Sequence, residues 1–102
     1  MASVLKLKSL TVTGVTGVVP LSSVSLLVKW YQVITANNSA NLNIGGDEVT
    51  SAVGFPLPPN WSGQLVPPVA ELMACYDLHD TNVYMPALTD ALYVLYIPFN
   101  YV

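Results

Sequence analysis

The sequence is poor in charge. Its 102 residues include three lysines, six carboxylates and no arginine, so only 9% are charged. Average usage of these residue types is about a quarter. The nine are Lys6, Lys8, Lys29, Asp47, Glu48, Glu71, Asp77, Asp80 and Asp90, for a net charge of -3. Phosphate recognition needs clustered Lys and Arg, so a nucleic-acid binder is excluded. Disorder is excluded as well. A disordered chain combines low hydrophobicity with high net charge, and here 53% of the residues are hydrophobic.

Cysteine is nearly absent. Cys75 stands alone, so no intrachain disulfide can form. Met1 to Leu10 lacks a basic segment followed by an apolar one, so no signal peptide is expected and the chain reads as made intracellularly. The sequons Asn37-Asn38-Ser39 and Asn60-Trp61-Ser62 are therefore not expected to carry glycans. Long apolar runs are also missing. Ser9 to Val28 is uncharged but holds seven Ser/Thr, two glycines and Pro20; Val49 to Ala70 holds five prolines. Neither resembles the roughly 20 apolar residues of a spanning helix, and no membrane partner is expected.

A chain of this length makes one domain, and the reading is a single domain over 1–102. Such a domain buries about two-thirds of its unfolded surface. Soluble monomers spread roughly 25–35% charged residues over what remains. Nine charges fall far short of that, so much of the surface is expected to be covered by sister subunits or a larger assembly.

No sustained helical period occurs. β-branched and aromatic runs bounded by Gly, Pro, Asn and Asp dominate instead. Strands are expected over Val4–Val12, Val24–Thr35, Asn41–Ile44, Asn82–Met85 and Ala91–Ile97. Val18–Ser23 is an extended piece whose Pro20 makes it an edge or a connection. In Val24–Thr35, Leu26, Val28, Trp30, Gln32 and Ile34 share one face, and Leu27, Lys29, Tyr31, Val33 and Thr35 the other. Both faces are largely apolar, which suits a strand covered on both sides. Asp47–Ser51 is a short strand or a turn, and Gly54–Pro59 an irregular loop because proline fixes φ and removes donors. Trp61–Val66 is a short strand at best, and Val69–Tyr76 a strand or two turns of helix. Ala87–Asp90 is expected to be a hairpin loop. Seven to eight short strands at about 8–12-residue spacing give an all-β chain, a small β-sandwich or jelly-roll-like barrel.

The reactive side chains cluster in Cys75-Tyr76-Asp77-Leu78-His79-Asp80. On a strand, Cys75, Asp77 and His79 would share a face, as a Cys/His nucleophile pair or part of a metal site requires. Neighbours on one strand face point in parallel rather than converging, and no second ligand set exists elsewhere. The simpler reading makes Cys75 a small buried residue and has Asp77 and Asp80 shape a turn. Gly45-Gly46 is not a phosphate loop, since Asp47-Glu48 follows where Lys and Ser/Thr are needed. No catalytic residue, metal or cofactor is expected.

The aromatics suit either interfaces or sugar stacking. Trp61, between prolines, is expected to be exposed, while Trp30 and Tyr96 are core or sheet-packing residues. Ile97 to Val102 is an apolar, aromatic, uncharged tail, a liability when free and a link when docked on a neighbour. The candidate contact residues are Lys6, Lys8, Phe55, Trp61, Phe99 and Tyr101.

The middle of the chain resembles a group of short tailed-phage virion proteins. The resemblance rests on Lys29-Trp30-Tyr31-Gln32-Val33, Asn43-Ile44-Gly45-Gly46-Asp47-Glu48-Val49-Thr50 and Gly54-Phe55-Pro56-Leu57-Pro58-Pro59. Asp77-Leu78, Val83-Tyr84 and a closing Tyr93-Val94-Leu95-Tyr96 follow. It spans Val28 to Tyr96 and departs at Val66–Met73 and beyond Tyr96. It implies a capsid decoration (cement) protein on the virion exterior, made in the host cytoplasm. Such a protein binds the major capsid protein, often as a homotrimer, without enzyme activity. A tail, baseplate or head-fibre component, or a carbohydrate-binding host-attachment module, is the alternative.

Overall fold

The computed structural model describes residues 6–63 and 75–99. Nine strands appear among them: β1 (Lys8–Thr13), β2 (Gly17–Pro20), β3 (Leu27–Thr35), β4 (Leu42–Gly45), β5 (Phe55–Leu57), β6 (Ser62–Gly63), β7 (Tyr76–Asp77), β8 (Asn82–Met85) and β9 (Ala91–Pro98). They form two antiparallel sheets. The larger runs β1-β9-β3, with β6 and β7 both paired to the far side of β3, and the smaller runs β2-β8-β4-β5. The chain is a small all-β sandwich.

Alternation builds the core. In β9, Leu92, Val94 and Tyr96 are buried while Tyr93 and Leu95 face out. Leu42, Ile44, Leu57, Val83 and Met85 answer from the smaller sheet, and Leu78 plugs the end. Leu42, Leu57, Val83 and Met85 have no exposed surface, so truncating one to alanine removes about 2–5 kcal/mol for the larger side chains.

β3 departs from the expected alternation. A bulge between Val28 and Trp30 shifts its register on β9. Val28 therefore points inward together with Tyr31, Val33 and Thr35, and Ile34 points out. One extra residue, Lys29, moves the second half of the strand to the other phase. The strand is not covered on both sides: Leu27 and Ile34 are exposed at 45% and 42%.

Four other expectations change. The first strand begins at Lys8; Lys6 and Leu7 are not in it, and 1–5 lie outside the described residues. Val24 to Leu26 belong to the loop before β3. Gly54–Pro59 contains β5, which pairs with β4 through Leu42–Leu57, Asn43–Pro56 and Ile44–Phe55. Proline is tolerated there because β5 is an edge. Ala87–Asp90 joins no hairpin, since β8 and β9 lie in different sheets and the loop crosses between them. Asp47–Ser51 is a turn. Most of Val69–Tyr76, and 64–66 of Trp61–Val66, lie outside the described residues.

Two polar side chains seal the crossover. Asn38 is buried, donating through Nδ2 to the Ala91 carbonyl at 2.9 Å and accepting from the Ala91 N–H at 2.8 Å. Asp90, 1% exposed, accepts from the Ser39 N–H and hydroxyl, both at 2.8 Å. The Asn37–Ser39 turn is thereby clamped onto the start of β9.

Candidate functional site

The Cys75–Asp80 cluster assembles no catalytic centre. β7 ends at Asp77 and a turn follows, so Cys75, Asp77 and His79 do not share a strand face. Asp77 is a loop anchor. Its carboxylate accepts from the Ser25 hydroxyl at 2.6 Å, the Leu26 N–H at 2.9 Å and the His79 N–H at 2.9 Å. The Ser25 hydrogen bond, then those from Leu26 and His79, hold its pKa below the ordinary carboxylate value. His79 Nδ1 lies 3.0 Å from the Ser22 carbonyl oxygen. A carbonyl only accepts, so Nδ1 carries the proton. Together these contacts staple the β2–β3 loop to the β7–β8 turn. No group of three or more His, Cys, Asp or Glu placed to hold a metal occurs among the described residues.

The central motif proves to be structural. Asn43 through Leu57 is β4, a long turn and β5. Glu48 accepts from the Gly46 N–H at 3.1 Å, and Thr50 Oγ1 from the N–H groups of Ala52 and Val53 at 3.1 and 3.0 Å. Asn43 Nδ2 donates to the carbonyls of Thr50 and Ser51, both at 3.1 Å. Gly54 sits at φ +138°, and a Cβ there would lie 2.9 Å from Asn43 Cβ. Only glycine suits both demands. The hairpin leaves Phe55 54% exposed at the edge of the smaller sheet.

The candidate contact residues do not share one surface. Lys8 and Phe99 meet in one open cleft of about 450 Å³ at the end of the sandwich, with Ser25, Leu26, Leu27, Tyr96 and Pro98. The Phe99 N–H donates to the Leu27 carbonyl at 3.0 Å, and the Lys29 ammonium lies 5.3 Å from the Phe99 ring centre. Lys6 is exposed just before β1. Phe55 stands apart on the other sheet. Trp61 is half-buried and packs against the core. Its N–H donates to Thr35 Oγ1 at 2.7 Å and its carbonyl accepts from the Thr35 N–H at 2.8 Å. It is not the exposed loop residue expected. Tyr101 lies outside the described residues.

A further neutral surface was not among those candidates. On the outer face of the larger sheet, Ser62, Ile34, Tyr93 and Thr11 form one row across four strands. Gln32, Leu95 and Ser9 form the next, and Trp30 with Ile97 a third. None of these residues is charged. Ile34, Tyr93 and Leu95 are 42%, 42% and 37% exposed. Strand spacing and rise make this roughly 300 Å² of sheet, the scale at which apolar patches on a monomer are often functional. The signal was present in the sequence as the apolar outer alternation of β3 and β9, read there as coverage by a second layer.

Compared with known proteins, the chain matches no family model, no curated protein and no solved structure.

Proposed function

We propose that the chain is a structural virion protein that decorates a bacteriophage capsid and stabilises it by bridging major capsid protein subunits. One observation carries this reading: three uncharged rows on the outer face of the larger sheet, with Lys29 standing beside the third in the bulge of β3. Eight of the nine charged residues lie within the described residues, and none falls on the three rows of that face. Interfaces deplete charge at their centres and enrich aromatics, and this face has Tyr93 and Trp30 among Ile34, Leu95 and Ile97. The resemblance of the central motif supplies the capsid. Its residues support the reading only as builders of the β4–β5 hairpin, which is what a passive structural role requires.

The mechanism is linkage. A subunit that binds the assembled shell and not its separate parts favours the shell by mass action. No bond is made or broken. The contacts are neutral, so attachment is expected to persist at high salt, where exposed ion pairs are screened.

Locating the chain in purified particles and counting its copies tests the reading. A copy number in the hundreds, on the outside of the shell, is expected. About three to a dozen copies at a vertex or tail would replace it with a tail, baseplate or head-fibre role. Absence from particles would overturn it.

A further inference from the structure

We infer that β1 is a self-association edge: it pairs antiparallel with β1 of a second copy, across a two-fold axis at Thr11. The inference goes beyond the capsid reading and is tested on the purified chain with no shell present, so the two fail separately.

Exposed sheet edges are templates for pairing, and proteins blunt them with proline, glycine, bulges, charge or short length. Three of the four edges here are blunted. β2 carries Gly17 and Pro20, and β5 carries Pro56 within three residues. The far side of β3 is met at each end by two-residue strands, β6 and β7. β1 differs. It runs six residues in unbroken register with β9, without proline, glycine or bulge. Its single charge, Lys8, stands at the first position. Among the described residues nothing pairs with its other side.

The sequence of β1 identifies the occupant. Residues directly opposite in an antiparallel pair share a face of the sheet. An axis at Thr11 places Leu10 opposite Val12, both on the core side, where Val12 is 8% exposed and Leu10 packs against the core. It places Ser9 opposite Thr13, both outward, and Thr11 opposite itself. Lys8 falls opposite Gly14, so no like charges meet. A two-fold interface must be self-complementary, and Ser9–Thr13 sets hydroxyl opposite hydroxyl and aliphatic opposite aliphatic about its centre.

Exposed apolar residues flank the strand at both ends. Leu7 precedes it at 61% exposure; Val15, at 37%, follows it. Leu88, exposed at 63%, is tied to the same end of the strand, its carbonyl accepting from the Gly14 N–H at 3.2 Å. The pairing brings Leu7 of each copy toward the end of the other strand, where Gly14 meets the Leu88 carbonyl. It also makes one continuous sheet from two, joining the neutral outer faces into roughly 600 Å². The edge contact itself is smaller than the ~800 Å² per partner of a standard interface, so the dimer is expected to dissociate at about micromolar concentrations. The arrangement is two-fold, in place of the trimer implied by the resemblance.

Light scattering across concentration tests the stoichiometry. The mass is expected to rise from 11.0 kDa to twice that value. A mass that stays at one chain up to about 1 mM, or that rises to three chains, overturns the proposal. Cross-linking tests the register in a Cys75→Ala background. Opposed Cα atoms about 5 Å apart lie within disulfide reach. Thr11→Cys is expected to form a covalent dimer on mild oxidation. Ser9→Cys alone is not, whereas Ser9→Cys mixed with Thr13→Cys is. Equal cross-linking of Thr11→Cys and Ser9→Cys overturns the register. Thr11→Lys, at an outward exposed site, is expected to keep the β-sheet circular dichroism and remain at 11.0 kDa; dimerisation like the parent's counts against the pairing.

Discussion

Asn38 and Ala91 are joined as two strands would be, with a side-chain amide on one side and backbone on the other. The Asn38 carboxamide both donates to and accepts from Ala91 where β9 begins. Both partners are buried, so removing the amide strands the Ala91 N–H and leaves its carbonyl only the longer hydrogen bond from the Ala36 N–H at 3.4 Å. An unsatisfied buried polar group costs about 1–3 kcal/mol. Asn38→Ala is expected to lower stability by about 1–3 kcal/mol in urea unfolding. Asn38→Asp keeps the acceptor and loses the donor to the Ala91 carbonyl, and is expected to destabilise as well. A change below about 0.5 kcal/mol in Asn38→Ala would show that water replaces the amide.

Gly54 and Gly14 separate backbone strain from crowding. Both have positive φ, at +138° and +73°. A Cβ at Gly14 meets nothing within 4 Å, while one at Gly54 meets Asn43 Cβ at 2.9 Å and the Ile44 carbonyl at 3.3 Å. Gly14→Ala is expected to cost about 1 kcal/mol, from the left-handed backbone alone. Gly54→Ala is expected to cost more, about 2–4 kcal/mol, because β5 must move off β4. Equal losses in the two variants would mean that the hairpin relaxes freely.

Asp77 gives acid stability a defined sign. Its folded pKa lies below the ordinary value of 3.8, held there by the Ser25 hydroxyl first and then by the Leu26 and His79 N–H groups. Its contribution is therefore full above the unfolded pKa and disappears as pH falls through the folded one. Glu48 titrates in the same direction, through backbone hydrogen bonds from its own N–H and that of Gly46. Both carboxylates are exposed, so the effect is small and the slope is the useful readout. Unfolding free energy is expected to fall between pH 5 and pH 2.5 (about the range set by these carboxylates), less steeply in Asp77→Asn. An unchanged slope in that variant would remove Asp77 from the acid response.

What the sequence disclosed follows from what period-two alternation can carry. Asn82–Met85 stands in the structure with the bounds expected of it, and β9 extends the expected strand by Pro98 alone. In both, turn residues frame a strict alternation. The bulge at Lys29 was hidden, because a one-residue insertion leaves composition unchanged while moving Tyr31 and Val33 into the core with Val28. β5 was hidden behind its prolines, which matter less at an edge whose outer donors have no partner to lose. Long-range pairing was hidden altogether. Lys8 and Phe99, named separately as contacts, share a cleft only because β1 and β3 both flank β9. The outer face had the same cause, since alternation shows that two faces are apolar but not that one of them lacks a covering layer.

Substitution on that outer face separates surface from scaffold. Tyr93 and Leu95 alternate along β9 with Leu92 and Val94, which are 0% and 1% exposed. Tyr93→Lys and Leu95→Lys place charge among neutral neighbours without entering the core. Losing the cross-strand contacts of Tyr93 with Ile34 and Thr11 is expected to cost about 1 kcal/mol. Leu92→Lys, one residue away, buries an unpaired ammonium and is expected to abolish folding. If the face is the shell contact, the paired substitution of Tyr93 and Leu95 releases the folded chain from particles into the supernatant on sedimentation, while Phe55→Lys on the opposite sheet leaves it bound. Release by Phe55→Lys with retention of the Tyr93/Leu95 variant would transfer the contact to the β5 edge.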